Sequence, residues 1–361
     1  MTLSLREVTK TVGRELHLAP LTLSFSPGVF SVILGRTGSG KTTLLRIIAG
    51  LDRPTSGKIF LDDKDITEVP PRHRDVAMVY QQFVNYPSLS VYENIASPAR
   101  QAKKSPAEID RIVGEAAAAL RIEKFLLRQP GELSGGQQQR VAIARALAKE
   151  SRILLLDEPL VNLDYKLREE LRQELPEIIR HRSATVLYAT TEPAEALILG
   201  GNIAVLDQGK LLQSGATLDV YRRPTSLEVG EAFSDPPLNR ATGRIEKGHL
   251  RLGQTAVPLS PHLRALSDGV YMFGIRAHHL HLKRHQKEVL DHQAIFTGTV
   301  ELSEISGSET YVYARIEDFS WVIQAPGVHR LQLGEKISVF PDPQSIYVFS
   351  TDGRLIAAPP A

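Results

Sequence analysis

Residues 30–43 read Phe30-Ser31-Val32-Ile33-Leu34-Gly35-Arg36-Thr37-Gly38-Ser39-Gly40-Lys41-Thr42-Thr43, followed by Leu44 to Ala49 and then Gly50. The first five residues form an apolar run of strand length. The pattern from Thr42 to Ala49 is helical, and Gly50 is the residue that most readily takes a left-handed stop. The order is therefore strand, glycine-rich loop, helix, which is the context a G-x-x-x-x-G-K-[ST] match requires. Gly35, Gly38 and Gly40 let backbone N–H groups turn inward, and together with the helix N-terminus they make a cradle for phosphate oxygens. Lys41 supplies a point charge for the outer phosphates, and the Thr42 hydroxyl is placed for Mg²⁺. Gly35, Arg36, Thr37, Gly38, Ser39, Gly40, Lys41, Thr42 and Thr43 are thus the expected nucleotide-binding residues.

Working outward, the flanks set an α/β core. Leu3 to Val8 and Leu16 to Phe25 alternate apolar and polar residues, and the first reads as an edge strand. Ser26-Pro27-Gly28 is a turn ahead of the loop's strand. Lys58 to Leu61 and Asp75 to Gln82 read as further strands. Ser105-Pro106-Ala107-Glu108 is a capping box with Pro at the first helical position. The apolar stripe after it (Ile109, Ile112, Val113, Ala116, Ala117, Leu120) is core packing of a helical subdomain over about 83–150. Ile153 to Leu156 is a continuous apolar run ending in Asp157 and Glu158, as in a parallel strand buried on both faces. Ala184 to Ala189 is another, and Ile203 to Leu206 leads into a hairpin turn at Gln208-Gly209. Strands alternating with helices give a mostly parallel sheet.

The chain has 361 residues, net charge +2 and no cysteine. This length allows two domains. The charge argues against nucleic acid as a partner. Disulfides and cysteine metal sites are excluded. No run of 18 or more apolar residues is present to span a bilayer. From about Asp235 the texture changes: Pro236-Pro237 marks a linker, and short alternating strands replace helices. Thr242-Gly243-Arg244-Ile245 and Thr297-Gly298-Thr299-Val300 echo one another, which suggests small barrels. The expected domains are 1–235 and 236–361. His278, His279, His281 and His285 form a His-rich patch there, read as a solvated polar edge in preference to a metal site.

Further motifs carry a resemblance. The string 78–95, MVYQQFVNYPSLSVYENI, resembles the Q-loop region of ATP-binding cassette (ABC) ATPases, with Gln81 as its glutamine. Leu133 to Arg140, LSGGQQQR, matches the signature motif of that family, and Ser134, Gly135, Gly136 and Gln137 at a helix N-terminus again suit a phosphate. The strand ending at Asp157-Glu158 looks like a Walker B strand, and Pro159 to Asp164 resembles the D-loop. Phe273-Gly274-Ile275-Arg276 and its surroundings resemble the tandem oligonucleotide-fold-like, TOBE-type domain of carbohydrate-uptake ABC ATPases. The whole chain is similar to the ATPase subunit of an importer of the carbohydrate, polyol or glycerol-phosphate class.

The resemblance implies ATP and Mg²⁺ as cofactors, with Thr42, Gln81 and Asp157 toward the metal, Glu158 as general base and Asp164 at the nucleotide. It implies a head-to-tail pair of ATPase subunits, each ATP lying between one loop and the other subunit's signature motif. It further implies two transmembrane permease subunits, a solute-binding protein acting indirectly, and a peripheral location on the cytoplasmic side of the plasma membrane. Three positions depart from the family pattern. Thr191 stands where a switch histidine contacts the γ-phosphate. Val12 stands where an aromatic stacks on adenine, and an apolar side chain does not replace a π-face in kind. Val161 occupies a D-loop position that is usually small and polar. The altered residues act on this chain's own nucleotide, whereas the unaltered signature motif acts on the partner's. The expectation is one half of an asymmetric pair with a slow site of its own. The alternatives are a homodimer in which Thr191 does the switch work, or a largely non-catalytic regulatory subunit.

Overall fold

The computed structural model describes residues 2–82, 84–161, 163, 165–180, 184–282 and 295–360. They divide into two compact units, Met1–Thr217 and Leu218–Ala361.

In the first unit, β1 (Leu3–Val12), β2 (Glu15–Phe25), β3 (Phe30–Leu34), α1 (Lys41–Ala49), β4 (Ser56–Leu61), β5 (Lys64–Asp65) and β6 (Val76–Val79) come first. They are followed by α2 (Val91–Gln101), α3 (Pro106–Ala119), α4 (Gly135–Ala148), β7 (Ile153–Asp157), α5 (Tyr165–Arg180), β8 (Thr185–Thr190), α6 (Pro193–Leu199), β9 (Asn202–Asp207) and β10 (Lys210–Ala216). The central sheet has the order β10-β9-β3-β8-β7-β6, and only β10 runs antiparallel. A second, antiparallel sheet has the order β2-β1-β4-β5. β1 therefore lies between two neighbours and is not the edge strand its pattern suggests. One solvated face gives the same alternation to inner and edge strands of an antiparallel sheet. The break in its alternation is real: the register shifts between Leu5 and Val8, and Glu7 sits at φ 51.

The two-faced burial of the parallel strands decides where the cores lie. Side chains along a strand point alternately to opposite faces. Ile153 and Leu155 of β7 and Leu187 and Ala189 of β8 join α1 and the antiparallel sheet in one core. Leu154, Leu156, Val186 and Tyr188 face the other way, into a core shared with α2, α3, α4 and α5. Each fully buried Leu or Val contributes about 1.5–3 kcal/mol, so changing the register of β7 by one residue would exchange the two cores. Capping boxes start α2 at Ser90, α3 at Ser105 and α4 at Ser134. Helix α1 is fixed at its far end: Gly50 is left-handed at φ 76, and the Arg74 guanidinium donates to Ile47 O and Ile48 O at 2.8 and 2.7 Å.

The second unit contains α7 (Thr217–Arg222) at its boundary, α8 (Leu227–Ala232), β11 (Asn239–Glu246), β12 (His249–Leu252), β13 (Thr255–Pro258), β14 (Gly269–Ile275), β15 (Leu280–Leu282), β16 (Phe296–Ser306), β17 (Glu309–Ile316), β18 (Phe319–Pro326), β19 (Lys336–Pro341), β20 (Tyr347–Phe349) and β21 (Leu355–Ala357). Two antiparallel sheets, β13-β12-β11-β14-β20-β21 and β15-β19-β16-β17-β18, share one core that includes Ile245 and Phe273 from the first and Phe296 and Trp321 from the second. The echoed segments 242–245 and 297–300 fall in β11 and β16, each an interior strand of its sheet. Residues 218–235, read from texture with the first domain, group with this unit. Leu227 of α8 packs there on Tyr347 and Phe349.

Candidate nucleotide site

The loop between β3 and α1 is shaped by its glycines in two different ways. Gly38 and Gly40 are left-handed, at φ 82 and φ 101. Gly35 is required by close approach instead: a Cβ there would lie 2.3 Å from Leu206 O and 2.4 Å from Ser39 Oγ. Gly35 N–H also donates to Thr190 O at 3.3 Å, tying the loop to the end of β8. A cavity of about 350 Å³ opens over the loop, lined by Glu15, Leu16, His17, Thr37, Gly38, Gly40, Lys41, Thr42, Thr43, Gln81 and Glu158.

Inside it the expected polar residues converge from separate elements. Lys41 is buried, and its Nζ donates to Gly35 O at 2.8 Å and Arg36 O at 3.1 Å. The same ammonium lies 3.1 Å from Glu158 Oε1. Glu158 Oε2 accepts from Gln81 Nε2 at 3.0 Å, and the Thr42 hydroxyl donates to Asp157 Oδ1 at 3.1 Å. Glu158 itself sits at φ 46, a strained backbone for a non-glycine residue. Burial pushes the Asp157 carboxyl above its ordinary range; the Thr42 hydrogen bond opposes this and the neighbouring Glu158 charge adds to it. A buried carboxylate beside a hydroxyl is a hard oxygen donor set that fits Mg²⁺. The glycine cradle and the buried ammonium fit a polyphosphate. A phosphate group would take over the donors that Lys41 now gives to the loop's own carbonyls.

Thr191 follows the last residue of β8. In the sheet Thr190 lies opposite Leu34 and Ala189 opposite Asp157, and Glu158 N–H donates to Ala189 O at 3.0 Å. Position 191 is therefore at the same sheet end as Gly35 and Glu158. Its neighbours are engaged behind it. Thr190 Oγ1 donates to Glu195 Oε2 at 2.6 Å and accepts from Glu192 N at 2.9 Å. The Glu192 carboxylate is held by Arg168 at 2.7 Å and Arg172 at 3.1 Å. Arg168 also reaches Val161 O at 3.3 Å and Leu163 O at 3.5 Å, so one guanidinium joins the segment after β7 to the segment after β8.

Val12 is half exposed at the tip of the β1–β2 hairpin, paired with Glu15. It is not among the residues lining the cavity; that side of the wall comes from Glu15, Leu16 and His17. Sequence reasoning passed over these three, although a histidine between Leu16 and Leu18 in an alternating strand was a visible signal. Ser134 caps α4: its Oγ accepts from Gln137 N at 3.4 Å, and its N–H donates to Gln137 Oε1 at 3.1 Å. Ser134 and Gly135 are exposed, and none of residues 134–137 lines the cavity. Asp164 lies outside the described residues, as does His285. His278 and His279 have ring centroids 4.2 Å apart, and among the described residues no group of three His, Cys, Asp or Glu side chains is arranged to hold a metal ion. No helix among those residues is long and apolar enough to cross a membrane.

The ABC transporter family model matches residues 18–161, and the TOBE domain model matches residues 273–349. The trehalose/maltose import ATP-binding protein of Thermococcus litoralis is 36% identical over 97% of this chain and 98% of its own length. The sn-glycerol-3-phosphate import ATP-binding protein of Psychromonas ingrahamii is 34% identical over 97% of this chain and 94% of its own length. A solved dimeric bacterial ABC transporter cassette is 33% identical, covers 60% of this chain and 98% of its own, and superposes with a TM-score of 0.54. A post-hydrolysis cassette bound to ADP and Pi is 32% identical, with a TM-score of 0.53.

Proposed function

This chain belongs to the ABC transporter family as an ATP-binding subunit of the sugar and glycerol-phosphate import class, an ATPase, and from that premise we propose that it forms one half of an asymmetric ATPase pair. Its own site binds Mg·ATP and turns it over slowly. Its signature motif completes a faster site on a different ATPase subunit. Two transmembrane permease subunits are its membrane partners, on the cytoplasmic face. The solute is small and polar, a sugar, a polyol such as glycerol, or a glycerol phosphate, handed over by a solute-binding protein that this chain does not touch.

The observation that carries this reading is local. Lys41, Thr42, Gln81, Asp157 and Glu158 meet at one sheet end, and the position beside them, Thr191, offers a single short hydroxyl. In the reaction Lys41 leaves the Gly35 and Arg36 carbonyls for phosphate oxygens. Glu158, released from Lys41, accepts a proton from the attacking water as its oxygen bonds to the γ-phosphorus and the bond to the bridging oxygen breaks. Gln81, through its bond to Glu158, holds that carboxylate in place. Thr42 and Asp157 would hold Mg²⁺, which when bound neutralises charge on the β- and γ-phosphates. A donor missing from the transferring phosphate costs about 10²–10³ in rate, and Glu192 does not fill the gap because Arg168 and Arg172 hold it. Ser134 and the first N–H groups of α4 are exposed donors for a phosphate on the partner subunit.

Thr191→His in the intact transporter tests the reading. Unchanged solute-stimulated turnover is expected, because the partner's site already carries the flux. A large gain would overturn it and favour a homodimer in which both slow sites limit transport.

A further inference from the structure

The nucleotide cavity has one ring on its wall, and it is not at the hairpin tip. Among the lining residues only His17 carries an aromatic side chain. Its place relative to the phosphate loop is fixed by backbone packing. A Cβ on Gly40 would lie 2.9 Å from His17 O, and a Cβ on Gly209 would lie 2.6 Å from the same oxygen. Ala19 N–H donates to Gly209 O at 2.8 Å, which holds β2 against this turn. Leu18 is fully buried, and the register passes from Lys10–Leu18 to Thr11–Leu16, so His17 is the extra residue of a β-bulge whose side chain lies on the cavity wall. The His17 side chain keeps 38% of its surface exposed, and its nearest carboxylate oxygen, on Glu15, is 3.7 Å away, beyond hydrogen-bond distance. Val12, at the tip, offers no π-face.

We propose that His17 is the base-binding residue of this site: its imidazole, flanked by Leu16, forms the platform on which the purine of the bound nucleoside triphosphate stacks. This deepens the nucleotide reading given above and rests on it. With the triphosphate seated over Gly38 to Thr43, the base extends away from Lys41 along the cavity, and the wall left for it is that of β2. Stacking on a flat ring is tolerant of base identity because every base has a π-face. His17 is therefore a determinant of affinity for the nucleoside part, and it does not touch the phosphates.

The experiment is equilibrium binding to the full-length chain with Mg²⁺ present, using ATP and inorganic tripolyphosphate as separate probes. The variants are His17→Ala, His17→Phe, and His17→Ala combined with Val12→Tyr. Loss of a stacking ring is expected to weaken ATP binding by about 5- to 150-fold, with tripolyphosphate binding unchanged. His17→Phe is expected to keep ATP affinity, and Val12→Tyr to recover part of what His17→Ala loses. Unchanged ATP affinity in His17→Ala would overturn the inference. So would an equal loss for ATP and tripolyphosphate, since that would make His17 a support for the loop and not for the base. A wild-type chain that binds neither probe would overturn the site reading beneath it.

Discussion

Two glycines of the phosphate loop, two residues apart, are expected to respond differently to the same methyl group. Both are left-handed, Gly38 at φ 82 and Gly40 at φ 101, so alanine at either incurs about 1–2 kcal/mol of backbone strain. Their surroundings differ. A Cβ on Gly38 meets no atom within 4 Å, whereas one on Gly40 falls 2.8 Å from Leu18 Cδ2 and 2.9 Å from His17 O. Leu18 is fully buried and His17 O is main chain, so neither yields cheaply, and overpacking of this kind adds about 1–3 kcal/mol. Gly40→Ala should therefore destabilise the first unit by about 2–5 kcal/mol, against about 1–2 for Gly38→Ala. The one tryptophan, Trp321, lies in the second unit, so far-UV circular dichroism in urea on the nucleotide-free chain is the suitable probe. Gly38 lines the cavity, so its alanine variant should lose ATP affinity while giving up only that smaller part of the stability. Equal destabilisation by the two variants would refute the packing argument.

Three other outcomes follow from the same geometry. Arg168→Ala removes an ion pair with Glu192 that is a quarter to a third exposed, together with the contacts to Val161 O and Leu163 O. A loss of about 1 kcal/mol in stability is expected after solvent screening, with faster hydrogen exchange at Val161 and Leu163 and at 191–192 as the check. Ser134→Ala breaks the cap of α4 at a cost of about 1 kcal/mol; calorimetry should find this chain's own ATP affinity unchanged, while turnover of the assembled transporter falls. Asp157 has a raised folded-state pKa, so it adds stability below the unfolded value and loses that contribution as pH rises through the folded value. Cation binding needs the carboxylate, so Mg²⁺-dependent ATP affinity should fall on acidification at a pH above the ordinary aspartate value of about 3.9, and Asp157→Asn should remove that dependence.

Much of the first unit was legible because its signals are short-range. The Gly35–Thr43 loop announces strand, turn and helix within one stretch, and the continuous apolar run before Asp157 requires a strand covered on both faces. The chain order of Lys41, Gln81, Asp157 and Glu158 became one site because parallel strands bring their C-terminal ends to one edge. What escaped is set by tertiary packing. The inner position of β1 depends on β4, some fifty residues away. The grouping of α8 depends on Leu227 meeting Tyr347 and Phe349 at the far end of the chain. His17 was hidden because its function depends on which wall of a cavity β2 forms and on a β-bulge that interrupts the strand's alternation at that residue. The link from Glu192 to Arg168 and Arg172 was equally invisible, since it joins α5 to the segment after β8.

The asymmetric pair is tested most directly by native mass spectrometry of the intact, affinity-purified transporter, counting ATPase subunits by type. One copy of this chain beside one different ATPase is the predicted result. Two copies of this chain, with no second ATPase, would contradict it and would leave both sites dependent on Thr191.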